Sequence, residues 1–104
     1  MSDADAVFGA LADRTRRGVL ELVATRGPVT ATELAGELPV SRQAIAKHLG
    51  VLGDAGLVDA TREGRETRYR AQLDPLDAVA SWIEEVGSAW DGRLARLRRQ
   101  LERR

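Results

Sequence analysis

The stretch that most constrains the fold of this chain is residues 41–52, with the sequence SRQAIAKHLGVL. Ser41 is a residue type that caps helix N-termini, because its hydroxyl accepts a hydrogen bond from a free backbone N–H of the first turn. Behind it, apolar residues recur at the spacing i, i+4 and i+7, which places Ile45, Leu49 and Leu52 in one narrow stripe. The pattern predicts a helix with a single buried face.

The opposite face of this helix carries residue types that can read DNA. It holds two cations, one amide, two small residues and no acid: Arg42, Gln43, Ala46, Lys47 and Gly50. Arginine and glutamine reach base edges in the major groove, lysine reaches phosphate, and small residues permit close approach. An ordinary solvated surface helix explains this stretch alone slightly better, so the flanking sequence decides.

The preceding sequence predicts a second helix that packs across the first. Residues 30–33, TATE, form a capping box, in which the threonine hydroxyl caps forward and the glutamate side chain reaches back. The short helix that follows would bury Leu34, Ala35 and Leu38, and residues 39–40 would form the turn. Two helices joined in this way, with a small alanine where they cross, have helix-turn-helix spacing.

The sequence after the helix predicts a β-hairpin. Gly56 ends the helix, residues 57–62 and 67–73 are typical of strands, and residues 63–66 form a tight turn in which Gly64 can adopt positive φ. A two-stranded hairpin is not stable alone in water, so it must pack on the helices. Helix-turn-helix followed by a hairpin is the winged-helix arrangement.

The hairpin carries charges of both signs. As a wing beside the major groove it would offer Arg62, Arg65 and Arg68 to the DNA backbone. Glu63 and Glu66 dilute that charge, so we expect positioning contacts rather than strong affinity from this element.

Two helices are predicted before residue 30. The first is short and amphipathic, and Asp13 can cap the second, whose inward residues are Val19, Leu20, Leu22 and Val23. Arg14, Arg16 and Arg17 crowd the first turn of that second helix, where the helix dipole disfavours cations. We expect these side chains to be exposed, or to meet a phosphate or an acidic neighbour.

The last predicted helix, opened by Asp74 and Pro75, has more apolar surface than docking requires. A heptad seam runs through Leu76, Ala80, Ile83, Gly87, Trp90, Leu94, Leu97 and Leu101, and Val79, Trp82, Val86 and Ala89 form a second stripe. We expect one stripe to dock on the domain and the other to meet a second copy of the chain. The alternative is that both tryptophans are buried within one chain.

The order of these motifs resembles the ArsR-type (arsenical-resistance repressor) family of bacterial winged-helix regulators. The most specific part is SRQAIAKHLGVLGDAGLV followed by REGRETRYR, and the similarity covers nearly the whole chain. The resemblance implies a homodimer, held by its first and last helices, that binds operator DNA and usually represses transcription. Many relatives sense metals through a cysteine pair in the recognition helix or Asp/His ligands on the last helix, and both sets are absent from this sequence.

Composition excludes several classes of function. The chain has 104 residues, no cysteine and one histidine, so disulfides, thiolate metal sites and a cysteine nucleophile are excluded. One imidazole with carboxylates is a poor metal site, and we expect His48 to be a hydrogen-bonded brace of its helix, or alternatively a DNA-backbone contact. No catalytic set can be assembled, so an enzyme is not expected. The lack of a membrane-spanning run or signal peptide predicts a cytoplasmic protein.

Net charge is zero, but the charge is segregated along the chain. Residues 71–92 carry acids and no cation, whereas residues 93–104 carry six arginines and one acid. Local DNA contact is therefore possible without a large overall field. A winged-helix adaptor that binds protein instead of DNA remains the alternative, since the chain is neutral and its wing has mixed charge.

These observations together predict a single winged helix-turn-helix domain over residues 1–104, mainly α with a small two-stranded β-wing, in the order α-α-α-α-β-β-α. The helix over about residues 75–103 would serve dimerisation. Predicted partners are double-stranded operator DNA, a second copy and an unknown effector, with no membrane, no cofactor and no metal. The predicted DNA-binding residues are Ser41, Arg42, Gln43, Ala46, Lys47, His48, Arg62, Arg65 and Arg68. The predicted dimer-interface residues are Val7, Phe8, Leu11, Ile83, Gly87, Trp90, Leu94 and Leu97.

Overall fold

A computed structural model describes residues 3–102 and contains the helices and strands in the predicted order. The helices are α1 Asp3–Leu11, α2 Arg14–Arg26, α3 Ala31–Ala35, α4 Arg42–Asp54 and α5 Leu76–Glu102, and the strands are β1 Val58–Glu63 and β2 Glu66–Ala71. The predicted mainly helical fold class with a two-stranded antiparallel wing is confirmed. The final helix begins one residue after Pro75, and the two strands reach one residue further into the turn than expected.

The hydrophobic core lies among the first four helices and the start of the wing. Its buried members are Val7, Ala10, Val19, Leu20, Val23, Val29, Leu34, Ile45, Leu49, Leu52, Leu57 and Val58. The stripe predicted on α4 is therefore its buried face. Val7 is completely buried within its own chain. Its assignment to a dimer interface was wrong, because this residue faces inward from α1 and has no surface to offer a partner.

The helix-turn-helix ends are fixed by the caps that the sequence predicted. The Thr30 hydroxyl accepts from the Glu33 N–H, and the Glu33 side chain accepts in turn from the Thr30 N–H. Ser41 accepts from the Ala44 N–H at 3.1 Å at the start of α4. At the other end of α4, Gly56 has a φ of 77°, and the Leu57 N–H donates to the Leu52 carbonyl. This is the Schellman arrangement, which turns the chain directly into β1.

The arginines at the start of α2 stabilise the end of α1. Nη1 of Arg16 donates to the carbonyls of Gly9 and Ala10, and Nη1 of Arg17 donates to the Leu11 carbonyl at 2.6 Å. Unpaired carbonyls and the negative end of the helix dipole favour cations at a helix C-terminus. These two side chains are therefore not simply exposed, and the neighbour that they meet is backbone.

The wing is attached to the helices through its second strand. The β1–β2 ladder runs from Val58 opposite Ala71 to Glu63 opposite Glu66. Gly64 is the first of two central turn residues and has a φ of 63°, as a type II′ hairpin turn requires. Val29 and Tyr69 exchange two backbone hydrogen bonds, of 3.1 and 2.8 Å. The hairpin therefore has a short third neighbour in the segment before α3.

Helix α5 extends beyond the rest of the domain. Its 27 residues span about 40 Å, and the radius of gyration is 19.0 Å, against roughly 13 Å for a compact chain of this length. Leu76 and Val79, at its beginning, pack on the core. Trp82 and Trp90 are 50% and 57% exposed, so the alternative that both are buried within one chain was wrong. The apolar residues that dock on the domain thus lie at the beginning of α5, and the exposed ones lie further along it. They do not form two parallel stripes, one docked and one exposed.

Candidate nucleic-acid interface

The outer face of α4 presents polar and small side chains to solvent. Arg42, Gln43, Ala46 and Lys47 are all exposed, and so is Ser41 at the cap. Because Ile45, Leu49 and Leu52 are buried on the opposite side, the helix cannot rotate to hide this face without opening the core. No acidic residue precedes Asp54 on the helix. The face therefore combines base-reading side chains with space for close approach.

An open groove joins α4 to the wing and to the start of α3. From α4 it is lined by Arg42 and Ala46, and from the wing by Arg62 and Arg65. The other lining residues are Thr30, Ala31, Thr32, Glu33, Glu66, Thr67 and Tyr69. Two groups of residues predicted from separate parts of the sequence thus lie beside one another. The sequence did not indicate that residues at the start of α3 line this groove, because the capping box already explains why these residue types are there.

The three wing arginines that the sequence predicted to contact DNA lie in different surroundings. Arg65 is exposed in the turn, and Arg62 is exposed while its Nε donates to the Gly64 carbonyl at 3.2 Å. Arg68 is only partly exposed, and its guanidinium contacts the carboxylates of Glu33, Glu63 and Glu66. Of these three, Arg62 and Arg65 present their charge without a carboxylate partner in the described residues, and so does Arg70 on β2.

His48 lies partly buried on α4, as its position beside the apolar stripe indicated. Its Nδ1 is buried, and within residues 3–102 it has no hydrogen-bond partner. The predicted hydrogen-bonded brace is therefore not formed through Nδ1. The imidazole lies near enough to Asp13, at the junction of α1 and α2, for the two side chains to interact electrostatically.

The carboxylate of Asp13 caps α2 at this junction. The Arg16 N–H donates to Oδ1 at 2.9 Å and lowers the pKa of Asp13 below its ordinary value. Desolvation opposes this effect, and the nearby charges of His48 and Arg16 add to it. The first turn of α2 is thus stabilised by a carboxylate that remains ionised to a lower pH than an ordinary aspartate does.

A second exposed surface follows the apolar face of α5. The ring of Phe8 on α1 meets Trp82 edge to face, with centroids 5.3 Å apart. Beyond that contact, Ile83, Val86, Trp90, Leu94, Leu97 and Leu101 are each between 41% and 58% exposed. A Cβ added at Gly87 would meet no atom within 4 Å. This α5 surface is apolar along most of the helix, which is unusual for a surface that remains in water.

The described residues contain neither a metal-binding group of side chains nor a membrane-spanning helix. No group of three or more His, Cys, Asp or Glu side chains within residues 3–102 is arranged to hold a metal ion. Among the helices of that same region, none is long and apolar enough to cross a membrane.

Comparisons of the sequence and of the structure with known proteins point to one family. Residues 11–60 match a family model described as a helix-turn-helix domain. The chain is 31% identical over 85 residues to the arsenical resistance operon repressor of Escherichia coli (strain K12). The aligned region covers 81% of this chain and 69% of that protein.

Solved structures extend the likeness to nearly the whole chain. An ArsR-like transcriptional regulator from Rhodococcus sp. RHA1 is 46% identical, with a TM-score of 0.77 over 91% of this chain and 89% of that one. The homodimeric winged helix-turn-helix DNA-binding domain of a possible ArsR-family regulator from Mycobacterium bovis is 26% identical, with a TM-score of 0.65 over 83% and 79% of the two chains. This chain belongs to the ArsR-type family of winged helix-turn-helix transcriptional regulators.

Proposed function

We propose that this protein is a homodimeric, sequence-specific repressor that binds an inverted-repeat operator in the bacterial cytoplasm. The observation that carries the proposal is the groove in which the exposed face of α4 lies beside Arg62 and Arg65 of the wing. A helix of this composition fits the major groove, while the wing is suited to the adjacent backbone. A related protein is named a repressor, which supports repression as the outcome of binding.

In the proposed complex, α4 is the recognition helix. Arg42 and Gln43 near its start read base edges, while Lys47 contacts phosphate and Ala46 permits close approach. Ser41 caps this helix, and it contacts the DNA backbone together with Arg62 and Arg65 of the wing. Base contacts specify sequence, whereas the phosphate contacts set position and supply most of the salt-dependent affinity.

Dimerisation through α5 completes the site. Leu11 is partly buried, Phe8 is 38% exposed on α1, and the α5 surface continues from the contact between Phe8 and Trp82. The solved homodimer of a related domain supports a two-fold partner. A two-fold axis would set two α4 helices roughly 34–36 Å apart, one DNA turn, and this requires two inverted half-sites. Residues 1–104 then form one DNA-binding domain whose last helix provides the dimer contact.

Footprinting on the DNA immediately upstream of the protein's own coding sequence tests the proposal. The parent should protect an inverted repeat. Gln43→Ala should relax preference at particular base pairs by about 1–3 kcal/mol, the value of a good bidentate contact. Lys47→Ala should weaken binding to all sequences equally and reduce the salt dependence by roughly 0.9 in slope for each phosphate that is no longer neutralised.

Glu21→Ala provides a matched control, since Glu21 is exposed on α2 and does not line the groove. It should bind as the parent does. If the parent, Gln43→Ala and Lys47→Ala all bind operator and random DNA with the same affinity, the α4 surface is not the reader. In that case a winged-helix adaptor that binds protein becomes the better explanation.

A further inference from the structure

Arg68 is the most heavily paired cation in residues 3–102. Its Nη2 lies 2.8 Å from Oε2 of Glu66, its Nε 3.2 Å from Oε2 of Glu63, and its Nη1 3.4 Å from Oε1 of Glu33. Each of the three guanidinium nitrogens therefore faces a carboxylate oxygen. Two of these acids flank the wing turn, and the third belongs to α3.

Glu33 is the acid that connects the wing to the helix-turn-helix. The same Oε1 accepts from the Thr30 hydroxyl at 3.1 Å and from the Thr30 N–H at 3.4 Å, so the helix cap fixes its position. Tyr69, the residue next to Arg68, bonds to the backbone of Val29. The wing is thus joined to the region around the start of α3 in two ways: by the backbone hydrogen bonds of Tyr69 and by the ion pair of the Arg68 side chain.

Arg70 shows that this pairing is not general on β2. Arg70 lies two residues further along the strand and is exposed. The described part of the chain contains no ion pair for it. Residues two apart on a strand share one face of the sheet. Arg68 is distinguished from Arg70 by its neighbours and not by its residue type or strand.

We propose that Arg68 is a positioning residue that ties the wing to α3 and neutralises Glu63 and Glu66, instead of contacting DNA phosphate. Its effect on DNA binding rests on the proposed function. With Arg68 paired, the two acids no longer cancel Arg62 and Arg65, and the wing is held beside the groove before DNA arrives. This role replaces the direct backbone contact that the sequence predicted for Arg68.

A double-mutant cycle on DNA binding distinguishes wing positioning from phosphate contact, because the two roles predict opposite signs for the coupling energy between Arg68 and Glu33. The variants are Arg68→Met, Glu33→Gln and the combination, and Gln is chosen because it retains the capping box. The cycle cancels the general gain from removing a negative charge near DNA. If Arg68 positions the wing, Glu33→Gln breaks the tie in the parent, whereas in the Arg68→Met background the tie is already lost. The change in DNA affinity that Glu33→Gln causes should therefore be roughly two- to fivefold less favourable in the parent than in that background. If Arg68 contacts phosphate and Glu33 competes for it, the coupling has the opposite sign.

Salt titration of the same variants gives an independent measurement. If Arg68 neutralised one phosphate in each half of a dimer, its removal would reduce the slope of log K against log salt by about 1.8. Arg68→Met should leave the slope unchanged while weakening binding roughly two- to fivefold, whereas Arg65→Met should reduce the slope. Arg70→Met is the matched control for the removal of one arginine from β2, and it should show no coupling to Glu33.

Hydrogen exchange in the DNA-free protein tests the tie without reference to function. The Tyr69 amide, bonded to the Val29 carbonyl at 2.8 Å, should exchange roughly two- to fivefold faster in Arg68→Met and in Glu33→Gln. Arg70→Met should leave it unchanged. Where Arg68→Met fails to fold, Arg68→Lys replaces it, because lysine keeps the charge but cannot reach three carboxylates in the same way.

Unchanged exchange in both variants, or coupling of the opposite sign, would overturn the proposal. A parent that binds no duplex DNA at any salt concentration would instead overturn the proposed function. The exchange measurement would still decide whether Arg68 holds the wing.

Discussion

Truncating two apolar side chains on α5, Trp90→Ala together with Leu94→Ala, should convert the protein to a folded monomer. Trp90 is 57% exposed and Leu94 is 41% exposed, so a partner could still cover much of each side chain. Aromatic side chains bury roughly 150–250 Å², and burial contributes about 25 cal/mol per Å² of apolar surface. Covering what remains exposed of Trp90 is therefore worth about 3 kcal/mol per protomer, and covering Leu94 about 1 kcal/mol.

Each loss occurs twice in a two-fold dimer. Buried area converts only partly to affinity, because association costs entropy and side-chain ordering. If half of this burial free energy, summed over both protomers, appears as binding free energy, the substitutions weaken the dimer by about 4 kcal/mol. This corresponds to a roughly thousandfold increase in Kd. The free energy of unfolding of the monomer should change little, on the order of 0.5 kcal/mol, since exposed residues away from the core contribute little to it.

Sedimentation equilibrium over a range of concentrations measures the dimer Kd, and circular dichroism with urea unfolding on the same samples measures folding. Leu73→Ala is the matched control, because Leu73 is 45% exposed and lies outside α5. Its dimer Kd should equal that of the parent. A well-folded double variant whose Kd stays within threefold of the parent would refute the reasoning. The interface would then be sought on α1, around Phe8 and Leu11.

Three further predictions follow from other parts of the chain. The lowered pKa of Asp13 stabilises the fold fully above the ordinary value of 3.8, and this contribution is lost as pH falls through the lower folded pKa. Asp13→Asn keeps a capping side chain, so its urea midpoint should differ from that of the parent above pH 4 and converge with it in stronger acid. Stoichiometric Zn²⁺, Cd²⁺ or arsenite should not release the protein from DNA in a gel-shift titration, because the chain has no thiolate and one histidine. Release that disappears in His48→Ala, with metal-free binding retained, would contradict this. Ile45→Ala should lower the free energy of unfolding by about 2–5 kcal/mol in urea titration, since the side chain is completely buried.

Much of the fold could be predicted because its signals are local. The Thr30–Glu33 box, the Ser41 cap and the positive φ of Gly64 each involve residues within one or two turns of the chain. Such interactions depend on spacing and residue type, which the sequence displays directly. The apolar stripe of α4 is of the same kind, because its helical period alone determines which side is buried.

The features that escaped prediction join residues distant in the chain or depend on how helices meet. Arg68 and Glu33 are 35 residues apart, and no pattern in either strand or helix pairs them. Arg16 and Arg17 looked misplaced on α2 because the carbonyls that they satisfy belong to α1. The misassignment of Val7 has the same origin. The short amphipathic helix was recognised, but which of its apolar residues faces the core is set by packing against α2, α4 and α5.

The backbone bridge between Val29 and Tyr69 also bears on the order in which the domain folds. It joins residues about forty apart, so the entropy of closing a long loop must be offset before the bond forms. A two-stranded hairpin is at best marginally stable alone in water, and the site to which it attaches exists only once α2 and α3 have assembled. The wing should therefore form after the helical core on the folding pathway and open before it under denaturant.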